Sequence, residues 1–312
     1  MVSPVSLVAS APAKINLHLG VGAPRTDGFH PLDTVYHAIG LVDSLTVEAA
    51  SPGVEIALTT PAHIDASGVP LDASNIVDQA ARLLGSRMGV APAVRVRIDK
   101  AIPVAGGMAG GSADAGAALR GLHALWVRAG ARPLTEAALL EVAAELGSDV
   151  PFTLVGGTAR GVGRGEIVTP LPAAGTYWWV VVPSAQGLST PAVYRHFDVL
   201  HPHAPAAPAA PGELLVALAA GDVRGVAAAL HNDLGEAALD LRPSLGGLIA
   251  RGESEGALRG IVSGSGPTVV FLCGSEAAAY AVADGLRGPE HPVALVARGP
   301  WGPAVVGKFD TL

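Results

Sequence analysis

The residues with the most chemistry in them sit in one short run. Gly106, Gly107, Gly110 and Gly111 are followed at once by Ser112, and the run joins a strand-like pattern to a helical one. A helix start presents unpaired backbone N–H groups and the positive end of its dipole. Glycines let the backbone close on an anion without Cβ clashes, and a serine hydroxyl can add a bond to a phosphate or to Mg²⁺. The run therefore has the makings of a phosphate loop. Its glycines have Walker A spacing, but Ser112 stands where that loop requires lysine. A dinucleotide fingerprint does not fit either, and Gly161-Val-Gly-Arg-Gly165 reads as a turn. A lysine serving this loop must come from elsewhere.

Lysine is scarce. Lys14, Lys100 and Lys308 are the only three among 20 basic residues, in a chain rich in Ala, Gly, Pro and Arg. Where arginine so widely replaces lysine, Lys14 and Lys100 mark positions that need a compact ammonium. Asp149, before a proline in Gly147-Ser-Asp-Val-Pro151, reads by itself as a helix-terminal or turn aspartate. Phe29 and His30 lie in a turn-like Asp-Gly-Phe-His-Pro context that argues for exposure. An aromatic beside an imidazole can stack on a pyrimidine and read its edge. The remaining histidines have no defensible metal-ligand spacing.

These groups need a scaffold, and 312 residues with 50% hydrophobic and 15% charged content can bury a large core in two domains. General disorder is excluded. A formal net charge of −7 argues against non-specific nucleic-acid binding. The lone cysteine, Cys273, rules out an intrachain disulfide and reads as a buried strand residue. Apolar runs such as Tyr177 to Val182 are too short to cross a bilayer. No secretory leader is expected, and the default location is cytoplasmic.

Strand patterns run over Val5 to Val21, Thr34 to Ala49, Val54 to Thr59 and Val94 to Lys100, the last alternating cleanly. Ser74 is expected to cap a helix ending near Gly89, and Thr135 one ending near Leu146. A helix follows the glycine run through Leu125. Phe152 to Arg160 reads as a strand, with a domain boundary after it. Tyr177 to Val182 is a buried strand, and the Pro- and Ala-rich stretch His201 to Gly212 an exposed loop or lid. Two short helices follow; then two strands flank Gly264-Ser-Gly266, and a last helix–strand pair ends at Val296.

Three segments, taken together, resemble the GHMP small-molecule kinases. Pro103, Val104, Ala105, Gly106, Gly107, Met108, Ala109, Gly110, Gly111, Ser112 and Ala113 are similar to the family's second motif, Ala11 to Leu17 to its first, and Ser263 to Thr268 to its third. Arg25 to His30, Asp99-Lys100, Gly147 to Phe152 and His231 to Leu234 are further marks, and all lie in family order along nearly the whole chain. Ala105 and Ala109 stand where glycine is common and Met108 where leucine is; an alanine there is strained if its φ is positive. The Pro–Ala stretch has no obvious counterpart.

The resemblance implies an α+β, two-domain GHMP kinase fold with mixed and antiparallel sheets, an ATP-binding domain over 1–165, a second domain over 166–312, and an active site in the cleft between them. It implies ATP-dependent phosphorylation of an alcohol on a small molecule bearing cytidine diphosphate, with Mg²⁺ on the ATP phosphates and no dedicated carboxylate ligand for it. Lys14 and Asp149 become the catalytic pair, with Asp149 as base. ATP falls to the loop Pro103–Ala113, with Asn75 and Lys100 on the adenosine side. Substrate falls to Asn16, Phe29, His30, Tyr194, Gly264, Ser265 and Gly266. No nucleic-acid or membrane partner is expected, and a monomer or weak homodimer is. A homoserine- or mevalonate-type kinase, or a non-catalytic nucleotide-binding protein of this fold, stays open as an alternative.

Overall fold

The computed structural model describes residues 6–104, 106–184 and 186–307. Ala105 of the glycine loop and Lys308 lie outside them. The chain opens with two long strands, β1 (Ser6–Val21) and β2 (Leu32–Ala49), and a shorter β3 (Gly53–Thr59). Helix α1 (Ile76–Met88), strand β4 (Ala93–Asp99), and helices α2 (Gly110–Arg128), α3 (Glu136–Leu146) and α4 (Val150–Val155) follow. Next come the hairpin β5 (Thr158–Gly163) and β6 (Ile167–Pro170), then β7 (Tyr177–Val182), α5 (Thr190–Leu200), α6 (Gly212–Ala220) and α7 (Val223–Ala229). The remainder is β8 (His231–Asn232), α8 (Leu234–Leu241), α9 (Ser244–Ser254), β9 (Arg259–Val262), β10 (Val269–Cys273), α10 (Glu276–Leu286), β11 (Leu295–Gly299) and β12 (Val305–Val306).

Two sheets result. The first runs β12-β1-β2-β4-β3, with β5 also on β2, β6 on β5, and β8 beside β1; the second runs β11-β7-β10-β9. Antiparallel pairs dominate, and β3 with β4 and β1 with β8 are parallel. Alternation in β4 sends Val94, Val96 and Ile98 inward and Arg95 and Arg97 to solvent. β1 is buried at nearly every position, with α2 packed on it and β2, β8 and β12 alongside it.

Several local expectations change. The α1 cap is Asn75, whose Oδ1 accepts from Val77 N–H at 2.8 Å, because Asp72 already takes the Ser74 hydroxyl at 2.6 Å. Phe152 to Val155 is helix, not strand; Pro151 in the first turn starts it and Gly156 ends it. The boundary at 165/166 falls inside the β5–β6 turn, so the first sheet continues to Pro170. The Pro–Ala stretch is an exposed loop, as expected, but it is tied down and does not hang free as a lid. Its carbonyls accept from β1 and the residues after it: Pro205 O from Ala23 N–H at 2.8 Å, and Ala209 O from His18 Nε2 at 3.0 Å.

The two sheets meet at His37 of β2, whose ring is edge-on to Tyr177, 5.6 Å between centroids, and 5.9 Å from that of Trp179. Its Nδ1 lies 2.8 Å from Thr158 Oγ1. Complete burial holds the imidazole pKa down to about 3.

Candidate active site

A cleft of about 840 Å³ opens between the two domains, lined from β1, the glycine loop, the start of α4, α5 and the turn between β9 and β10. Strand periodicity puts Lys14 and Asn16 on the same face of β1. The Lys14 ammonium donates to Asn16 Oδ1 at 2.7 Å; Asn16 Nδ2 donates to Thr34 Oγ1 at 2.8 Å, and Thr34 in turn donates to His18 O at 2.7 Å. This relay anchors the Lys14 ammonium. Its Nζ stands 3.4 Å from Asp149 Oδ2, with the lysine side chain only 7% exposed and the aspartate 31%.

Asp149 occupies the cap position of α4 without making a capping bond. Its carboxylate is turned to the cleft instead, where Oδ1 accepts from the Tyr36 phenol at 3.0 Å. Burial, then the neighbouring Asp149 charge, pushes the Tyr36 phenol far above its ordinary pKa, so Tyr36 is a fixed donor. Sequence reasoning missed Tyr36, which sits among apolar strand residues and carries no local mark.

The glycine loop enters α2 as a tight platform. Gly107, Ala109 and Ser112 line the cleft. Gly107 has φ +75°, and a Cβ on it would lie 2.3 Å from Ser263 O, so only glycine fits. Ala109 has φ +55°, the one non-glycine residue with positive φ among those described. The backbone N–H of Lys14 donates to Met108 O at 3.2 Å, tying β1 to the loop. Pro103, Met108 and Ala113 are buried beneath the loop, not in the cleft. The third motif braces the loop: Ser263 Oγ donates to Gly107 O at 3.2 Å, and Asn232 Nδ2 donates to Val262 O and Gly264 O, both at 2.8 Å. Gly264 and Ser265 reach the cleft, Ser265 paired with Thr190 at 2.7 Å, whereas Gly266 lies behind them.

Asn75 and Lys100 are not in the cleft lining. Asn75 is spent on the α1 cap and on Pro70 O at 2.6 Å. Lys100 is buried between Asp43 at 2.6 Å and Asp114 at 2.7 Å. Asp43 also accepts from Ala101 and Ile102 N–H, at 2.6 and 2.8 Å. The triad thus pins the root of the loop. Burial and the nearby Asp43 charge raise the Asp114 pKa well above the usual range, against the pull of Lys100.

At the far end, His30 Nε2 bonds Asp198 at 2.8 Å and its ring lies 4.9 Å from that of Tyr194. Phe29 is 48% exposed, and the Arg164 guanidinium lies 5.1 Å from its ring centre. Among the described residues no three His, Cys, Asp or Glu side chains converge as a metal site, and no helix is long and apolar enough to cross a membrane.

This geometry can cradle phosphates at the start of α2, hold a hydroxyl between an ammonium and a carboxylate, and stack a flat ring. The family model described as "GHMP kinases N terminal domain" matches residues 75–157, and "GHMP kinases C terminal" matches 214–289. A 4-diphosphocytidyl-2-C-methyl-D-erythritol kinase of Nocardioides sp. (strain ATCC BAA-499 / JS614) is 60% identical over 290 residues, 93% of this chain and 96% of that one. The one from Thermobifida fusca (strain YX) is 49% identical, covering 92% and 93%. A crystal structure of 4-(cytidine 5'-diphospho)-2C-methyl-D-erythritol kinase superposes with TM-score 0.75 at 30% identity, covering 95% of this chain and 100% of that one. A mevalonate kinase of L. major has TM-score 0.74 at 15% identity, with 95% of this chain and 96% of that one covered, a likeness of fold alone.

Proposed function

From the premise that this chain belongs to the GHMP kinases, and among them to the 4-diphosphocytidyl-2-C-methyl-D-erythritol kinases, we propose how its cleft performs the transfer. The reaction moves the γ-phosphoryl of ATP to the 2-hydroxyl of 4-diphosphocytidyl-2-C-methyl-D-erythritol, a step towards isoprenoid precursors. The observation that carries the reading is the 3.4 Å approach of Lys14 Nζ and Asp149 Oδ2 beside the glycine loop.

ATP binds as its magnesium complex, with its phosphates on the free N–H groups at Gly107 to Ser112. The Ser112 hydroxyl would hold the ion, which would offset the negative charge of the phosphates. Asp149 accepts the proton of the substrate hydroxyl. That oxygen then bonds the γ-phosphorus while the bond from γ-phosphorus to the bridging oxygen breaks and ADP departs. Lys14 balances negative charge on the moving group, and the Tyr36 O–H keeps the Asp149 carboxylate aimed. Asn16, through Lys14, holds the ammonium and meets the polyol. Phe29, His30 and Tyr194 enclose the cytosine. With His30 Nε2–H donating to Asp198, Nδ1 accepts from the exocyclic amine of cytosine.

Asp149→Asn tests this reading. A general base contributes about 10²–10⁴ in rate, so kcat should fall by that factor while ATP still binds with unchanged affinity. Undiminished turnover would end the assignment.

A further inference from the structure

We propose that the strap formed by residues 300–306 is a positioning element for the catalytic carboxylate, with Trp301 as its key positioning residue. The strap lies beyond both matched family segments, the second of which ends at residue 289. Its opening Pro-Trp-Gly-Pro run has neither strand nor helix periodicity.

The geometry carries the inference. On leaving β11 the chain crosses from the second sheet back over the first domain. Trp301 N–H donates to Ala38 O at 2.9 Å, and Trp301 O accepts from Gly157 N–H at 2.7 Å. Ala304 N–H donates to Thr153 O at 2.7 Å, and β12 then pairs antiparallel with β1 at Ala9 and Ser10. Thr153 lies in α4 and Gly157 just after it. α4 has six residues, and a helix so short cannot sustain itself by its own hydrogen bonds. The strap takes up a carbonyl of this helix and an amide just beyond it, and so fixes the helix that starts at Asp149.

The Trp301 ring adds a second support. It packs against the small cluster of Tyr36, Ala38, Phe152 and Ala159. It lies so close over Gly40 that a Cβ there would come 2.9 Å from it. Within that cluster the Tyr36 and Phe152 rings are 4.9 Å apart, and Tyr36 is the donor to Asp149. One indole therefore supports both attachments of the carboxylate: the helix that starts at it and the phenol that aims it. The expected consequence is a loss in proton removal, because the Trp301 indole packs on the cluster that holds Phe152 of α4 and Tyr36, the donor to Asp149.

The inference rests on Asp149 being the proton acceptor. Its test is steady-state kinetics of the full chain for Trp301→Ala, Trp301→Phe and Gly40→Ala beside Asp149→Asn, with the amplitude of an ATP titration counting folded molecules. Misplacing a reacting group by about 1 Å costs about 10²-fold. Trp301→Ala is expected to lower kcat per folded molecule by about that factor and to leave the KM for ATP within about twofold. Trp301→Phe should recover most of the loss. Gly40→Ala keeps the indole but displaces it, and should cost about tenfold on the same principle; it decides the matter if Trp301→Ala does not fold. Full kcat in both Trp301→Ala and Gly40→Ala, or a loss that Phe does not relieve or that appears equally in ATP affinity, overturns the strap's role. If Asp149→Asn itself turns over normally, the base assignment fails first and the two failures are told apart.

Discussion

Acidifying the protein from pH 7.5 to pH 5.0 tests the seam between the sheets through His37. In the unfolded chain this imidazole titrates near 6.5; in the fold, burial against Tyr177 and Trp179 holds it down to about 3. Below pH 6.5 the unfolded state takes up a proton that the folded state refuses. Stability from this site is therefore intact above pH 6.5 and drains away as the pH falls towards 3. Each unit is about 1.4 kcal/mol, so the 1.5 units between 6.5 and 5.0 amount to about 2 kcal/mol. The assay is urea unfolding of the wild type and of His37→Gln at both pH values. Glutamine can still bond Thr158 and does not titrate, and all other groups cancel in the difference of differences. The wild type should lose about 2 kcal/mol more than the variant over this interval. Equal losses would refute the buried, proton-refusing imidazole.

Three further outcomes are expected. Ala109→Gly should stabilise the protein by about 1 kcal/mol, because the αL conformation at φ +55° penalises a Cβ; a lowered melting temperature would contradict this. Lys100→Met should destabilise by about 3–5 kcal/mol, since it strands Asp43 and Asp114 as unpaired buried carboxyls. Adding Asp114→Asn should return part of that in circular-dichroism melts. Phe29→Ala should raise the KM for the cytidylated substrate by about 5- to 150-fold, the 1–3 kcal/mol of one stacked base, with the KM for ATP unmoved.

Local signals reached the elements whose causes are local. The alternation of Val94, Val96 and Ile98, the Thr135 cap and the glycine loop each announce themselves within a few residues, and the structure has them there. Cap choice between Ser74 and Asn75 was not legible, because both are good caps and Asp72 decides it by taking the serine hydroxyl. The run Phe152 to Val155 has strand-forming residues, but its setting between Pro151 and Gly156 and the bonds from the strap override that propensity. At the site, Lys14 and Asp149 were legible only through the family's motifs, which place them together across 135 positions of sequence. Tyr36 and Asp198 were not, since an aromatic strand residue and a helical aspartate are unremarkable until the fold sets them against Asp149 and His30. Lys100 was assigned to the adenosine side because it directly precedes the glycine loop; the two carboxylates that take it into the core lie 57 and 14 residues away and leave no local mark.

The pairing of β12 with β1 has a temporal meaning. The ribosome releases the strand holding Lys14 early, but that strand's neighbour at Val305–Val306 emerges almost three hundred residues later. The first domain is thus held unfinished through most of synthesis, with one sheet margin uncovered. Such long-range closures are slow steps in folding. Nascent chains halted before residue 300 should accordingly be more readily cleaved by protease within β1 than chains allowed to run past residue 307.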